Sequence, residues 1–150
     1  MKDKINAFEL LLNEIEVFSS TNSIDAFEVK ITQDKWSKKE ILGHLIDSAL
    51  NNIQRFTEIQ FAEKPYQIRS YNQNALVIAN KYQNKDNQEL FNLWLQVNNH
   101  ILYLLKNQTQ ETLALELILP NGEKRNLAFL MEDYLDHFYH HIKQINIKWI

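Results

Sequence analysis

Apolar residues recur every three or four positions along four long stretches of the chain, which is the spacing of an amphipathic α-helix with one buried face. The first stretch runs from Lys4 to Phe18, the second from Lys38 to about Phe61, and the third from Leu90 to Leu105. The last begins at Leu127 and continues to the end of the sequence. Four such helices bury their apolar faces most economically as a bundle. The pattern therefore predicts an all-α fold, a four-helix bundle.

Residues that commonly cap helices stand at the predicted starts of three of these helices. Ser37 and Glu40 have the S-x-x-E spacing of a capping box, in which each side chain bonds the backbone amide of the other residue. Asp86 and Asn126 are suitable N-caps for the third and last helices. The predicted apolar face of the last helix comprises Leu127, Met131, Tyr134, Leu135, Phe138, Ile142, Ile145 and Trp149.

Two shorter segments connect the predicted helices. The stretch from Tyr71 to Tyr82 indicates one short extra helix. Leucines alternate with other residues from Leu113 to Leu119 and lead into the turn Pro120-Asn121-Gly122, which is typical of extended backbone. We expect a short extended excursion before the last helix and no sheet. Because no repeat or linker divides the chain, we expect one domain over residues 1–150.

The composition supports long helices and limits the chemistry. The chain has 45% hydrophobic residues and only 2 Gly and 2 Pro, too few for the many turns of a sheet-rich fold. The absence of Cys excludes disulfides, thiolate nucleophiles and cysteine-ligated metal sites. Any metal ion must therefore be held by His, Asp or Glu.

The charge pattern excludes several classes of partner. A net charge of −3 without a basic cluster is not typical of a nucleic-acid-binding protein. No uncharged apolar run approaches the roughly 18 residues that cross a bilayer, and the first residues lack the pattern of a signal peptide. We therefore expect a cytoplasmic protein that binds neither nucleic acid nor membranes.

Histidines are the most informative residues of the last helix. Of the 5 His in the chain, three lie in the segment His137-Phe138-Tyr139-His140-His141. At about 100° per residue, His137 and His141 fall one turn apart at the edge of the apolar face, whereas His140 falls on the solvent side. Tyr139 is also expected to face solvent. Two imidazoles spaced i and i+4 can chelate one ion.

A polar column lies beside the core face of the second helix. It contains His44, Ser48, Asn51 and Arg55. If the second and last helices are neighbours, His44 can meet the two histidines of the last helix at one point. His100 lies on a comparable rim of the third helix and is not excluded as a ligand. The more usual outcome of such spacing is a set of edge histidines with ordinary hydrogen bonds.

Two segments of the chain resemble a known family. The segment WSKKEILGHL, from Trp36 to Leu45, and the segment DYLDHFYHHIKQI, from Asp133 to Ile145, are similar to the two-part signature of the DinB/YfiT-like superfamily. One part places a His in the first turns of the second helix, and the other is an H-x-x-H-H-x-x-Q segment in the last. The resemblance extends over nearly the whole chain.

The resemblance implies a fold and a metal site. Proteins of this kind are four-helix bundles, often homodimers, with a divalent ion such as Zn²⁺ or Ni²⁺ on three His. By position in the signature, these residues are His44, His137 and His141, and His140 stands beside a ligand. The family includes metal-dependent hydrolases and thiol transferases that use bacillithiol or mycothiol. A low-molecular-weight thiol is therefore a second candidate cofactor.

Several residues are candidates for supporting roles. Asp47 and Asp133 are within helical reach of the implied ligands and can accept their second N–H, although exposed helix acids are an equal alternative. Gln144 matches a family position and either supports a ligand or packs. Arg55 can face an anionic substrate group, with a surface salt bridge as the alternative. Tyr71 can line a substrate pocket or belong to the core.

Three hypotheses follow from these residues. The first is a metal-dependent enzyme that activates water or a thiol for hydrolysis or S-transfer on a small molecule, because an ion on three imidazoles keeps open positions. The second is a non-catalytic stress-response binding module with a structural metal or none. The third is a helical interaction protein without a site. The sequence does not separate hydrolysis from thiol transfer, since both use the same ligands.

Overall fold

A computed structural model of the chain describes residues 1–21 and 24–145. Within them, the four long helices are α1 (Lys2–Thr21), α2 (Lys38–Glu58), α4 (Asn87–Lys106) and α6 (Leu127–Ile145). The two short helices are α3 (Gln73–Asn80) and α5 (Gln110–Leu113), and the three strands are β1 (Tyr66–Gln67), β2 (Glu116–Ile118) and β3 (Lys124–Asn126). A 3-10 turn, Tyr82–Asn84, follows α3. The predicted all-α four-helix bundle is confirmed.

The predicted caps are present at the helix starts. Ser37 Oγ accepts a hydrogen bond from the Glu40 amide, and the Glu40 carboxylate accepts one from the Ser37 amide, which completes the capping box of α2. Asp86 Oδ1 accepts from the amide of Glu89 at the start of α4, and Asn126 Oδ1 accepts from the amide three residues later in α6. These bonds satisfy amides that have no partner within the helix.

The four long helices surround one apolar core. α2 packs against α4 and α6, and α1 packs against the same two helices, so that the order around the bundle is α1, α4, α2, α6. The core includes Trp94, which stacks on Phe138 at 5.7 Å, and Phe8, which meets Phe138 edge to face at 4.9 Å. This arrangement makes the second and last long helices neighbours, which is the condition for a site between them.

The predicted extended excursion is part of a small sheet, so the expectation of no sheet was wrong. β2 and β3 pair antiparallel, and β1 pairs with β2 in parallel. Leu117, at the centre of β2, is fully buried, because the sheet covers one end of the core. Strands of two or three residues are too short to give a sheet signal in the sequence.

Other predicted boundaries shift by a few residues. The second helix ends at Glu58 instead of Phe61, and the short helix between Tyr71 and Tyr82 is reduced to α3 and the 3-10 turn. The predicted core side chains of Phe18 and Trp149 lie outside what the structure describes. No helix in the described ranges has the length and apolarity that crossing a bilayer requires.

Candidate metal centre

α2 places His44 at the centre of the bundle. The capping box starts the helix at Lys38, and His44 follows on the side that faces α6. Its side chain is fully buried, deeper than the rim position that the helical spacing predicts. The Trp36 ring lies against the imidazole with a centroid distance of 4.9 Å. The ring is therefore held between the core and an aromatic cover.

α6 contributes the other two imidazoles. His137 and His141 are one helical turn apart and half-buried, with a distance of 4.6 Å between their ring centroids. His140 is exposed, as the helical spacing predicts. Tyr139, which we expected to face solvent, is half-buried against the core because its ring meets Phe138 edge to face.

The three imidazoles form a compact cluster, the His44–His137–His141 triad. The ring centroid of His44 is 5.1 Å from that of His137 and 4.8 Å from that of His141. One ligand atom from each ring lies within 4.8 Å of the other two, and the two Nε2 atoms of His44 and His137 are 3.1 Å apart. Two nitrogens on one tetrahedral zinc ion lie about 3.4 Å apart. The cluster could therefore hold a divalent ion.

The local environment keeps these imidazoles neutral. Burial, followed by the charges of the other two histidines, lowers the pKa of His44 to about 4. Burial, then His141 and His140, lowers the pKa of His137 to about 4, and burial also lowers the pKa of His141. At neutral pH each ring thus keeps a lone pair, which metal ligation requires. His44 Nδ1 is buried and has no hydrogen-bond partner among the described residues.

Hydrogen bonds orient the two rings of α6. Gln144 Oε1 is 3.1 Å from the Nδ1 of His141, and Ser48 Oγ is 3.4 Å from the Nδ1 of His137. Because an amide oxygen only accepts, the Nδ1 of His141 carries the proton and its Nε2 keeps the lone pair. Residues that support a metal ligand make this kind of hydrogen bond. Ser48 lies one turn beyond His44 on α2 and makes the corresponding contact with His137. The sequence indicated this serine only as part of a polar column.

Asp47 is not hydrogen-bonded to His44. Its Oδ1 instead accepts hydrogen bonds from the Tyr82 hydroxyl at 2.7 Å and the Asn80 amide at 2.9 Å. Burial raises the pKa of Asp47, and these two bonds partly offset the rise. The carboxylate therefore ties α3 and the 3-10 turn to α2. Asp133 makes no hydrogen bond to His137 and lines a cavity beside it.

His100 does not join the triad. Its ring is exposed on α4 and stacks on Tyr103 at a centroid distance of 6.1 Å. Among the His, Cys, Asp and Glu side chains of the described residues, the one group that could share an ion is the triad itself. These residue types could therefore supply three ligands to an ion, and an ion with three protein ligands keeps further coordination positions free.

One cavity is lined by a residue of the triad, and a second is lined by residues that contact the triad. One of about 190 Å³, the Arg55 cavity, brings Arg55 and Tyr71 to the same space as His137. Another of about 330 Å³ is lined by Trp36 and Gln144. A larger cavity of about 530 Å³ lies between α2 and the segment that leads to β1, and none of the triad lines it.

The family model of the DinB superfamily matches residues 18–145 of the sequence. The chain belongs to the DinB superfamily. No curated protein sequence matches it. The family match covers both segments that carry the sequence signature, and the three histidines of that signature are the ones that the fold brings together.

Solved structures show the same fold. YfiT from Bacillus subtilis, described as a probable metal-dependent hydrolase with an unusual four-helix bundle topology, aligns with a TM-score of 0.78 at 19% identity. The alignment covers 97% of this DinB-superfamily chain and 85% of YfiT. The mycothiol-dependent maleylpyruvate isomerase aligns with a TM-score of 0.70 at 10% identity, over 94% of this chain and 59% of the isomerase. A His-to-Ala mutant of that isomerase aligns with a TM-score of 0.69, at the same identity and coverage.

Proposed function

We propose that this protein is a divalent-metal-dependent enzyme that acts on a small molecule, with His44, His137 and His141 as the metal ligands. The observation that carries the proposal is the convergence of three neutral imidazoles from two helices within 4.8 Å. Imidazole nitrogen suits Zn²⁺ and Ni²⁺. We expect one of these ions in the functional protein.

A bound divalent ion would supply a Lewis acid that lowers the pKa of a water molecule or thiol. The chain's own residues prepare the place for it. Ser48 and Gln144 orient two of the imidazoles, and Trp36 covers the third and excludes water from one side. The Arg55 cavity, which His137 lines, gives a small molecule room to approach.

The structural relatives support two reaction types. YfiT is described as a probable metal-dependent hydrolase, and the isomerase as mycothiol-dependent. We therefore propose hydrolysis, or transfer to a low-molecular-weight thiol, as the reaction of this chain. The alternative of a binding module with a structural metal requires a closed coordination shell. The described His, Asp and Glu side chains add no fourth ligand, which favours the enzyme.

Metal analysis of protein purified without a His-tag tests the proposal. We expect one Zn²⁺ or Ni²⁺ per chain and an increase in melting temperature when the ion is added to stripped protein, because an ion that binds only the folded state stabilises it. The double substitution His44→Ala and His137→Ala should abolish both the bound metal and the increase in melting temperature. The matched control is His140→Ala, which removes an adjacent, exposed imidazole and should retain the ion. Wild-type protein that takes up neither ion would contradict the proposal.

A further inference from the structure

The Arg55 cavity connects the triad to a cationic side chain. Its volume is about 190 Å³, which is roughly the volume of six water molecules. Its wall includes Ser48, Arg55, Tyr71, Gln73, Asp133 and His137. His137 belongs to the triad, and Arg55 lies about three helical turns beyond His44 along α2. A molecule in this cavity thus meets the candidate metal centre at one end and a guanidinium at the other.

Arg55 has no ion-pair partner among the described residues. The guanidinium donates to the carbonyl oxygen of Arg69 at 2.6 Å and is 3.5 Å from Asn52 Oδ1, which leaves further N–H donors unused. It is half-buried, and burial lowers its pKa. A partly desolvated guanidinium that forms no direct salt bridge can still bind an anionic ligand, although Asp133 lies in the same cavity. The surface salt bridge that sequence reasoning offered as an alternative is absent from the described residues.

Neighbouring aromatic and polar groups fix the guanidinium in place. It lies over the Tyr71 ring at 5.4 Å from the centroid, a cation–π contact. Ser48 and Arg55 both lower the pKa of Tyr71, although burial raises it overall. Ser48 also contacts His137. A continuous polar wall therefore extends from the triad to the guanidinium.

The second charged group in the cavity limits the charge of the ligand. Asp133 lines the same space, and Arg55 partly offsets the increase in its pKa that burial and Asp136 cause. Because Asp133 already offsets part of the charge of Arg55, the site can balance at most one negative charge of a ligand. A dianionic phosphate would in addition be repelled by the Asp133 carboxylate at close range. The cavity thus suits a carboxylate better than a phosphate.

We infer that the substrate of this site is a small carboxylic acid whose carboxylate binds Arg55 in the cavity beside His137. The inference rests on the proposed function, because it assigns the substrate class of the same metal-dependent site. Binding at Arg55 places the rest of the molecule toward the triad. Arg55 is thereby a substrate-binding residue and not a ligand of the ion.

Binding of acetate, butyrate and benzoate, each compared with its neutral amide, tests the inference. Titrations followed by ¹H–¹⁵N NMR use the full chain, both metal-stripped and Zn²⁺-loaded. We expect the carboxylates to bind both forms and the amides to bind at least tenfold more weakly. Arg55→Gln should weaken carboxylate binding by about tenfold to a hundredfold, because it removes a charge-assisted hydrogen bond. Arg55→Lys should weaken carboxylate binding less than Arg55→Gln does.

Arg69→Gln is the matched control. It removes an equal charge from an exposed side chain that does not line the cavity, and it should leave the carboxylate affinity close to that of wild type. Carboxylate binding that is equal in wild type and Arg55→Gln would overturn the inference, as would no saturable binding to wild type or equal losses in both arginine variants. Metal content is measured separately in each sample. Protein that takes up neither Zn²⁺ nor Ni²⁺ and still binds carboxylates through Arg55 would contradict the proposed function while supporting the carboxylate site.

Discussion

The carboxamide of Gln144 lies between two imidazoles of α6 and affects them differently. Its oxygen faces the Nδ1 of His141, whereas its nitrogen donates to the Nε2 of His140 at 3.0 Å. The first bond fixes the tautomer of a candidate ligand, and the second only engages an exposed ring. The sequence offered ligand support or packing for Gln144, and its contact with His141 is compatible with the first of these roles.

Replacement of Gln144 therefore provides a test at the level of a single residue. Gln144→Ala should weaken Zn²⁺ affinity by about tenfold to a hundredfold, because the ring of His141 loses the bond that orients it. The folded structure should be preserved, since the side chain is exposed. Competition with a chromogenic chelator gives the affinity. His140→Ala, which removes the other partner of the carboxamide, should bind the ion as wild type does; equal losses in the two variants would assign the effect to general disturbance of α6.

The 3-10 turn after α3 packs on α2 at Gly43, the residue before His44. The Tyr82 ring packs directly on α2 at Gly43, and a Cβ atom at Gly43 would lie only 2.2 Å from Cδ2 of that ring. Glycine is needed here for close approach, inside a helix where its backbone freedom is a disadvantage. The same tyrosine donates a hydrogen bond from its hydroxyl to Asp47. Tyr82 therefore holds the turn on the helix both by packing and by a hydrogen bond.

Gly43→Ala should therefore destabilise the protein, although alanine is the better helix former. Overpacking costs about 1 to 3 kcal/mol, against a gain of up to about 1 kcal/mol in helix propensity. We expect a net decrease of about 1 to 2 kcal/mol in the free energy of unfolding, measured in urea. In a Tyr82→Ala background the same substitution should cost little, because the clashing ring is gone. An unchanged or increased stability of Gly43→Ala would show that the turn can move away from α2 without a cost in free energy.

The elements that sequence reasoning predicted correctly are those with local signals. Periodic apolar residues and the side-chain caps define α2, α4 and α6, and each cap occurs where the sequence places it. The sheet was missed because its strands pair across the chain and are too short to show alternation. Asp47 was expected either to support His44 or to be an exposed helix acid, and it does neither, for a similar reason. Its true partners come from another segment, and nothing on α2 itself indicates them.

At the scale of the whole molecule, the site depends on which helices are neighbours. Helical spacing predicts which residues share a face, but it does not predict that α2 contacts α6. That adjacency came from the family resemblance, and the fold confirms it. The full burial of His44 follows from the same packing, since α6 and Trp36 cover a position that an isolated helix would leave at the rim.

The buried triad makes stability depend on pH. Unfolded histidines take up protons near pH 6.5, whereas His44 and His137 in the folded protein do so near pH 4. Between these values the unfolded state binds more protons, so the free energy of unfolding of metal-stripped protein should rise with pH. Urea unfolding between about pH 5 and pH 7 measures this increase. Added Zn²⁺ should raise the free energy of unfolding across this range, because the ion binds the neutral imidazoles of the folded state.

Two variants separate the triad from the other titrating groups. His137→Gln should show a shallower increase with pH than wild type, since one of the buried imidazoles is gone. His100→Gln removes an exposed histidine of α4 and should retain the wild-type slope. If all three proteins gave the same slope, the triad would not be the source of the pH dependence.

The separation of the three ligands along the chain determines when a metal ion can act during folding. His44 and His137 are 93 positions apart, and their imidazoles meet only when α2 and α6 have packed together. A ribosome must therefore complete nearly all of the bundle before the first chelate can form. An ion held by all three imidazoles would bind the finished bundle, and its slow release would then delay the separation of these two helices during unfolding.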